Sequence, residues 1–413
     1  MAEAEKPQEA VDLKAIQKKL SAGASYRRML AAKEAGLPIC VASAGVPSEL
    51  LFAMDVFPIY PESLAAISSG VGKADEFFDE AKARDFSSAI CSYTRCGLGI
   101  AWSNKCAFGP LPEPDLFMTD VSLCCLHVTW WAYLGDHFKK PTFFADMPAT
   151  DNPDAPEYIA YYEKQLRDMI TFIEDNTKIK FDLNRLKQTV SYSDLAGHYW
   201  RQLLNLRMHK PSPSSFRVLA GQILPLVTAL GDKDTAEYYE AFYNFYKGQV
   251  AQGVTPAKPE EKFRLIWNGI PIWHHLDIIN YFENKGANFV WEPYTNLSWG
   301  NKTPSGRLDP EDPFHSLAIK YTNVLNNRPI KDRFQYFDQA VKDYDIDGLV
   351  MFSNRSCRPM SIGQDEVVEM VREKHGLPVL IFEGDQADAE GFSWQDSKVK
   401  IDGFIEILES KKK

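Results

Sequence analysis

Hydrophobic and polar positions along this chain change period repeatedly, and each change marks an element. Short runs rich in apolar and β-forming residues recur at 37–42, 56–60, 115–119, 141–146, 263–268, 288–291, 349–352 and 379–383. Runs this short, bounded by Gly, Pro, Ser or Asn, predict buried strands. Between them apolar residues return every three or four positions, which predicts helices. One or two helices span 10–34, with Gly36 as the stop, and Pro47-Ser48-Glu49 opens the next. Others cover 61–84, 126–138, 158–174, 238–251, 365–372 and part of 391–409, and Cys91 begins one more. Gly269-Ile270-Pro271 turns into a helix that carries Trp273. Proline groups at Pro110, Pro112 and Pro114, and at Pro211 and Pro213, break the pattern.

Strand, turn, helix, strand is the rhythm of a parallel sheet, because parallel neighbours need a crossover that a helix supplies. The expected fold class is therefore α/β: two domains with parallel, flavodoxin/Rossmann-like sheets flanked by helices, plus a mainly helical insert or bridge. The expected organisation is an N-terminal helical segment at 1–36, a first α/β domain at 37–153, a helical bridge at 154–260 and a second α/β domain at 261–413. Residues 1–8 are expected to be disordered. No short-period internal repeat is present, and low-complexity sequence is confined to Lys411-Lys412-Lys413.

Composition narrows the function. A net charge of -10 argues against a nucleic-acid partner, which calls for a basic face. No window approaches the roughly 18 apolar residues needed to span a bilayer. Met1 to Pro7 is polar and acidic, with no apolar core behind it, so the chain reads as cytoplasmic, without membrane attachment. Seven cysteines (Cys40, Cys91, Cys96, Cys106, Cys124, Cys125, Cys357) form an odd set in a long chain, which disfavours a disulfide framework. Metal binding, chemistry or core packing is left for them.

Three of these thiols share a setting. Cys91, Cys124 and Cys357 each fall near the start of a helix, two of them directly after a strand. In open α/β sheets ligands bind at such strand exits, and a helix start favours the thiolate that metals require. No C-x-x-C occurs, and buried cysteines are commonly inert, so spacing alone leaves ligation and core packing both open. His274 and His275 are adjacent and would diverge on a helix. His127, three positions after Cys124, reads as either a core residue or a neighbour of that thiol. Neither dinucleotide, P-loop nor G-x-S-x-G motifs occur, so the chain itself is not expected to bind ATP through such a loop. Glu62 and Asp385 sit at strand exits, where a carboxylate is either a general base or a turn cap.

Five motifs in order then carry a resemblance: Tyr60-Pro-Glu62; Cys91-Ser-Tyr-Thr-Arg95; Leu123-Cys124 with Trp130; Asn354-Arg-Ser-Cys-Arg-Pro359; and Glu383-Gly-Asp-Gln386. Together, over 37–413, they resemble the 2-hydroxyacyl-CoA dehydratase / benzoyl-CoA reductase family, nearest to the alpha-type dehydratase subunits. The resemblance implies a [4Fe-4S] cluster held between the two domains by Cys91, Cys124 and Cys357. It also implies an open fourth iron that takes the thioester oxygen of a CoA substrate. A homologous second subunit would complete a heterodimer, and a separate activator would hydrolyse ATP to inject one electron. That electron turns a 2-hydroxyacyl-CoA into a ketyl radical anion, which expels the hydroxyl and acidifies the β-hydrogen. Glu62 and Ser43 are the residues implied for catalysis, and Tyr60, Asn354, Arg355 and Ser356 for substrate contact. The alternatives are benzoyl-CoA ring reduction and a non-catalytic electron-relay subunit. Three positions depart from the pattern: Cys96 is an extra thiol able to close the fourth iron site, Cys125 adjoins Cys124, and Lys398 or Lys400 replaces an arginine.

Overall fold

The computed structural model describes residues 13–147, 150, 152–301 and 303–412. The expected disorder of 1–8, and Val11 of the first helical pattern, lie outside the described residues. Two four-stranded sheets, both wholly parallel, form the frame. The first contains β1 (Ile39–Ala42), β2 (Phe57–Ile59), β5 (Leu116–Asp120) and β6 (Thr142–Ala145), in the order β2-β1-β5-β6. The second contains β7 (Phe263–Asn268), β8 (Ala287–Trp291), β9 (Gly348–Asn354) and β10 (Val379–Gly384), in the order β10-β9-β7-β8. Between β2 and β5 a small antiparallel pair, β3 (Lys105–Cys106) and β4 (Gly109–Pro110), was not legible in the pattern.

The central strands are apolar without alternation because helices cover both faces, whereas the edge strand β10 alternates buried and exposed positions. Every residue of β5, β7 and β8 is buried. In register, Cys40 lies between Pro58 and Leu116, and Val350 lies between Trp267 and Leu380. Around the second sheet Trp267, Phe289, Phe352 and Phe382 form one aromatic core.

The helices of the expected bridge are shared out among the cores. Pro156–Thr177 and the first half of Leu183–Asn205 pack Tyr162, Leu166, Met169 and Val190 onto the first sheet. Pro313–Thr322, which lies far along the chain among the second sheet's elements, brings Phe314, Leu317 and Ala318 into that same core. Trp200 and Leu203 form a separate core with Tyr239 and Phe242 of Lys233–Ala251, closed by Ile16 and Leu20. Phe216 and Ala220 instead pack on the second sheet. A bidentate ion pair, fully buried, joins Arg207 to Glu292 at the exit of β8. Helix Pro271 onward begins as a 3-10 turn, Trp273–His275, and becomes α-helical at Asp277–Glu283.

Both sheets end on one crevice. The carboxyl ends of β1, β5, β7, β9 and β10 lead into Ser43–Gly45, Leu123-Cys124, Gly269-Ile270, Arg355–Cys357 and Asp385-Gln386. Gly269 has φ +139, and a Cβ there would meet the Phe352 carbonyl oxygen at 2.6 Å, so only glycine lets β7's exit pass so close to β9. Gly97 serves the first domain similarly: its missing side chain lets Trp130 lie against helix Ser92–Ser103, since a Cβ would stand 2.3 Å from Trp130 Cζ2. That contact draws the helices that follow Cys91 and Cys124 together.

Candidate active site

Cys91 is the N-cap of Ser92–Ser103, and its thiol faces the free amides of Tyr93 and Thr94. Cys124 occupies the turn after β5, facing the amides of Leu126 and His127 at the start of helix Leu126–Phe138. Cys357 caps the short helix Arg358–Ser361 and meets the amide of Met360. The first amides of a helix have no partner within it and can support a sulfur anion, although the His127 amide also donates to the Cys124 carbonyl oxygen at 3.0 Å. All three cysteines line one cavity of about 410 Å³ between the two sheets. Burial pushes all three thiols up, Cys91 to about 12. Two of them also feel the others: Cys124 raises Cys91, and both raise Cys357. Bare thiolates would repel one another here, whereas cations among them would reverse the balance.

Among the described residues, no three of His, Cys, Asp and Glu lie close enough to share one metal ion. An iron-sulfur cluster asks for something else, because each thiolate takes its own iron and the sulfurs stand apart. The donor set fits: three thiols on one cavity wall, each beside helix-start amides. Gln386, fully buried, also donates from Nε2 to Cys91 Sγ at 3.6 Å.

Beside the thiols lies a carboxyl without a cation. Glu62 stands in the first turn of helix Pro61–Gly70, and its Oε1 accepts from the Ala44 amide at 3.2 Å. His127 Nε2 lies 3.3 Å from that oxygen. Glu62 Oε2 is buried with no hydrogen-bond partner. Burial pushes the Glu62 carboxyl up to about 7 and the His127 imidazole down to about 4. His127 Nδ1 lies 3.1 Å from the Asp120 carbonyl oxygen, which can only accept. The proton is therefore on Nδ1, and Nε2 is an acceptor turned toward Glu62. Asp120 is itself pushed up by burial, to about 6, despite hydrogen bonds from Ser122 and Tyr162.

The profile of the 2-hydroxyglutaryl-CoA dehydratase D-component family matches residues 43–408. The chain belongs to that family. The alpha subunit of (R)-2-hydroxyisocaproyl-CoA dehydratase from Clostridioides difficile is 25% identical over 391 residues, 94% of each chain. The alpha subunit of (R)-phenyllactyl-CoA dehydratase from Clostridium sporogenes is 26% identical over 389 residues, 93% of this chain and 92% of the relative. A benzoyl-CoA reductase subunit from Thauera aromatica is 27% identical over 412 residues, 96% of this chain and 94% of the relative. The resemblance carried by the five motifs is thus borne out for a member of the 2-hydroxyacyl-CoA dehydratase family.

Within this dehydratase-family site the expected residues divide into two groups. Cys91, Cys124, Cys357 and Glu62 line the cavity together. The others lie behind it or apart from it. Ser43 is fully buried, its Oγ accepting from the Asp120 amide at 3.0 Å, so it ties the exit of β1 to that of β5. Tyr60 is sunk in the core of the first sheet with Leu50 and Leu116. Asn354 accepts from the Ile270 amide at 3.0 Å and donates to Gln386 Oε1 at 3.3 Å, which aims the Gln386 amide at Cys91. Ser356 accepts from the Ser92 amide at 3.2 Å and donates to Asp385. Arg355 points outward to Glu383 at 2.8 Å. Cys96 packs with Ala65, Phe77 and Ile100 in a different core and does not line the cavity, and Cys125 is exposed. Cys96 is therefore not positioned as a fourth cluster thiol.

His127 and Gln386 are the residues that sequence reasoning underweighted. The spacing of His127 from Cys124 was a signal, since three positions on a helix share a face. Gln386 stood in a quoted motif without a role. The two halves are clasped at the cavity wall by Trp273 Nε1 donating to the Tyr93 hydroxyl, and elsewhere by Arg95 pairing with Asp388.

Proposed function

We propose that this chain is the catalytic, cluster-binding subunit of an ATP-activated 2-hydroxyacyl-CoA dehydratase, taking water from an (R)-2-hydroxyacyl-CoA to leave the 2-enoyl-CoA. The observation that carries the reading is three helix-start thiols on the wall of a single cavity, with the cation-free Glu62 carboxyl beside them. Cys91, Cys124 and Cys357 would hold a [4Fe-4S] cluster, with Gln386 and the helix-start amides supporting the sulfurs. When bound, the cluster supplies one low-potential electron and a Lewis-acidic iron for the thioester carbonyl.

The chain's own residues handle protons. Glu62 keeps its proton up to about pH 7, so its carboxyl gives that proton to the departing hydroxide. The carboxylate so formed takes the β-proton, which restores the acid while water leaves. His127, neutral with Nε2 as acceptor, takes a hydrogen bond from the protonated Glu62 Oε1 and so orients the carboxyl. The Oε1 proton is the one given up, and the unpartnered Oε2 is left to take the β-proton. A homologous second subunit and a separate ATP-hydrolysing activator complete the proposed system, in keeping with the relatives' description as alpha subunits. Ring reduction of an aromatic thioester is the second reading, favoured by the reductase relative at 27% identity and by Trp130, Trp273 and Trp299 on the cavity wall. The electron-relay alternative needs a fourth thiol, and Cys96 belongs to a separate core.

The test is anaerobic purification with the neighbouring subunit and activator, followed by iron counting and assay of hydroxyacyl and aromatic CoA thioesters. Loss of the 2-hydroxyl with an intact ring is expected. Cys357→Ser should lose iron and activity while its circular dichroism stays that of the parent; an unchanged iron content would overturn the ligand set.

A further inference from the structure

The cavity wall beyond the thiols and Glu62 has a chemistry of its own. Ile67 and Val71 face it from helix Pro61–Gly70 and its C-cap, Leu226 and Val227 from the short helix Leu224–Thr228, Tyr321 from the end of Pro313–Thr322, and Val324 from just beyond that helix. Resting on the reading above, we infer that this wall selects a bulky, apolar and uncharged acyl group, branched alkyl or arylalkyl, and rejects short and dicarboxylic ones.

Charge decides the second half of that statement. Among the described residues lining the cavity, Lys320 is the one Lys or Arg. Its Nζ is already held by Glu49 Oε1 at 2.6 Å and Ser193 Oγ at 2.8 Å. Glu49 also accepts from Tyr321, so the ammonium is neutralised inside a closed network. The other ionisable carboxyls on the wall are Glu62 and Asp120. A second substrate carboxylate would lose its water and meet two acids and no free cation. Size decides the first half. Each methylene moved from water onto such a wall is worth about fourfold in affinity, so a short acyl group forfeits much of what the cavity offers.

The experiment measures binding, so it does not depend on turnover. Saturated thioesters without the 2-hydroxyl (isohexanoyl-, phenylpropionyl-, propionyl- and glutaryl-CoA) are titrated calorimetrically into the full-length protein as isolated anaerobically. Isohexanoyl- or phenylpropionyl-CoA should bind at least about tenfold tighter than propionyl-CoA, and glutaryl-CoA weaker than either by about a hundredfold. Val227→Arg and Ile67→Arg, both at half-buried wall positions, should each narrow the gap between glutaryl- and phenylpropionyl-CoA by about tenfold or more. Equal affinity for glutaryl- and phenylpropionyl-CoA in the parent would overturn the inference and point to Lys320 as a carboxylate reader, while leaving the CoA-thioester reading intact. Equal affinity across all four would overturn it likewise. Failure of every thioester to bind would sink the proposed function as well.

Discussion

Two buried glutamates of the first sheet's flanking helices have opposite fates. Glu49 and Glu62 each stand in the first turn of a helix that follows a strand of that sheet. Burial raises both. For Glu49 the effect is outweighed by Lys320, by hydrogen bonds from Lys320 and Ser193, and by its own backbone amide, so its carboxyl is held below the usual range. Glu62 has its own amide, the Ala44 amide and a neutral imidazole nearby, no cation, and rises to about 7. Desolvation is common to both sites; the arrival of a cation is what separates them. One glutamate therefore works as a staple, pinning helix Pro313–Thr322 to the first sheet's core, and the other as a proton holder on a cavity.

Breaking the staple should have the largest effect on stability. Lys320→Met leaves Glu49 buried without its cation, and chemical denaturation should report a loss of about 3–5 kcal/mol. Glu49→Gln added to Lys320→Met should recover most of it, because both charges are then gone. A loss under about 1 kcal/mol would mean that the pair is solvated in solution.

Removing the proton holder should act on catalysis and on pH dependence. Glu62→Gln is expected to lower kcat about a hundredfold to ten-thousandfold in a dehydratase assay. Its folded carboxyl keeps a proton to about 7, while the unfolded chain loses it near the ordinary 4.5. The stability contributed by protonated Glu62 is thus fully present below about 4.5 and is lost as pH rises through about 7. Denaturation of Glu62→Gln and parent across that window should diverge, the variant gaining roughly 3 kcal/mol relative to the parent above the upper limit. For Glu49 the sign is opposite: its contribution is present above about 4.5 and disappears on acidification. A pH-independent difference for Glu62→Gln would show an ionised carboxylate, and the contrast would collapse.

Trimming one donor sharpens the comparison most gently. Ser193→Ala removes the 2.6 Å hydrogen bond to Glu49 and the 2.8 Å one accepted from Lys320, with the Lys320 and Tyr321 contacts to Glu49 still in place. A loss of about 1 kcal/mol is expected from equilibrium unfolding, without a change in the thioester affinities described above.

Much of this arrangement is legible in the order of residues. Period and turn chemistry are local, so the eight sheet strands, the helix start at Cys91, the helix at 365–372 behind Cys357, and the placing of Cys124 before helix Leu126–Phe138 could all be read within a few positions of each. The short helix Arg358–Ser361 that Cys357 itself caps could not. The β3–β4 pair and Pro313–Thr322 were missed. Two-residue strands carry no period, and the helix's partner surface lies on the other sheet. Tyr60 and Arg355 are expected at the site from their positions in motifs, and Ser43 from the family resemblance. Which way a side chain turns at a strand exit is set by what packs around it, and here Ser43 and Tyr60 turn into cores while Arg355 turns to solvent.

By itself the sequence determined the two parallel sheets, the family and the three thiols worth following, because backbone preference and motif order are carried by neighbouring residues. Only the tertiary structure decided that those three thiols face one cavity, that Cys96 does not, that His127 meets Glu62, and that Lys320 crosses the chain to Glu49. Ionisation and reactivity depend on burial and on charges brought from hundreds of positions away, and no local pattern encodes them.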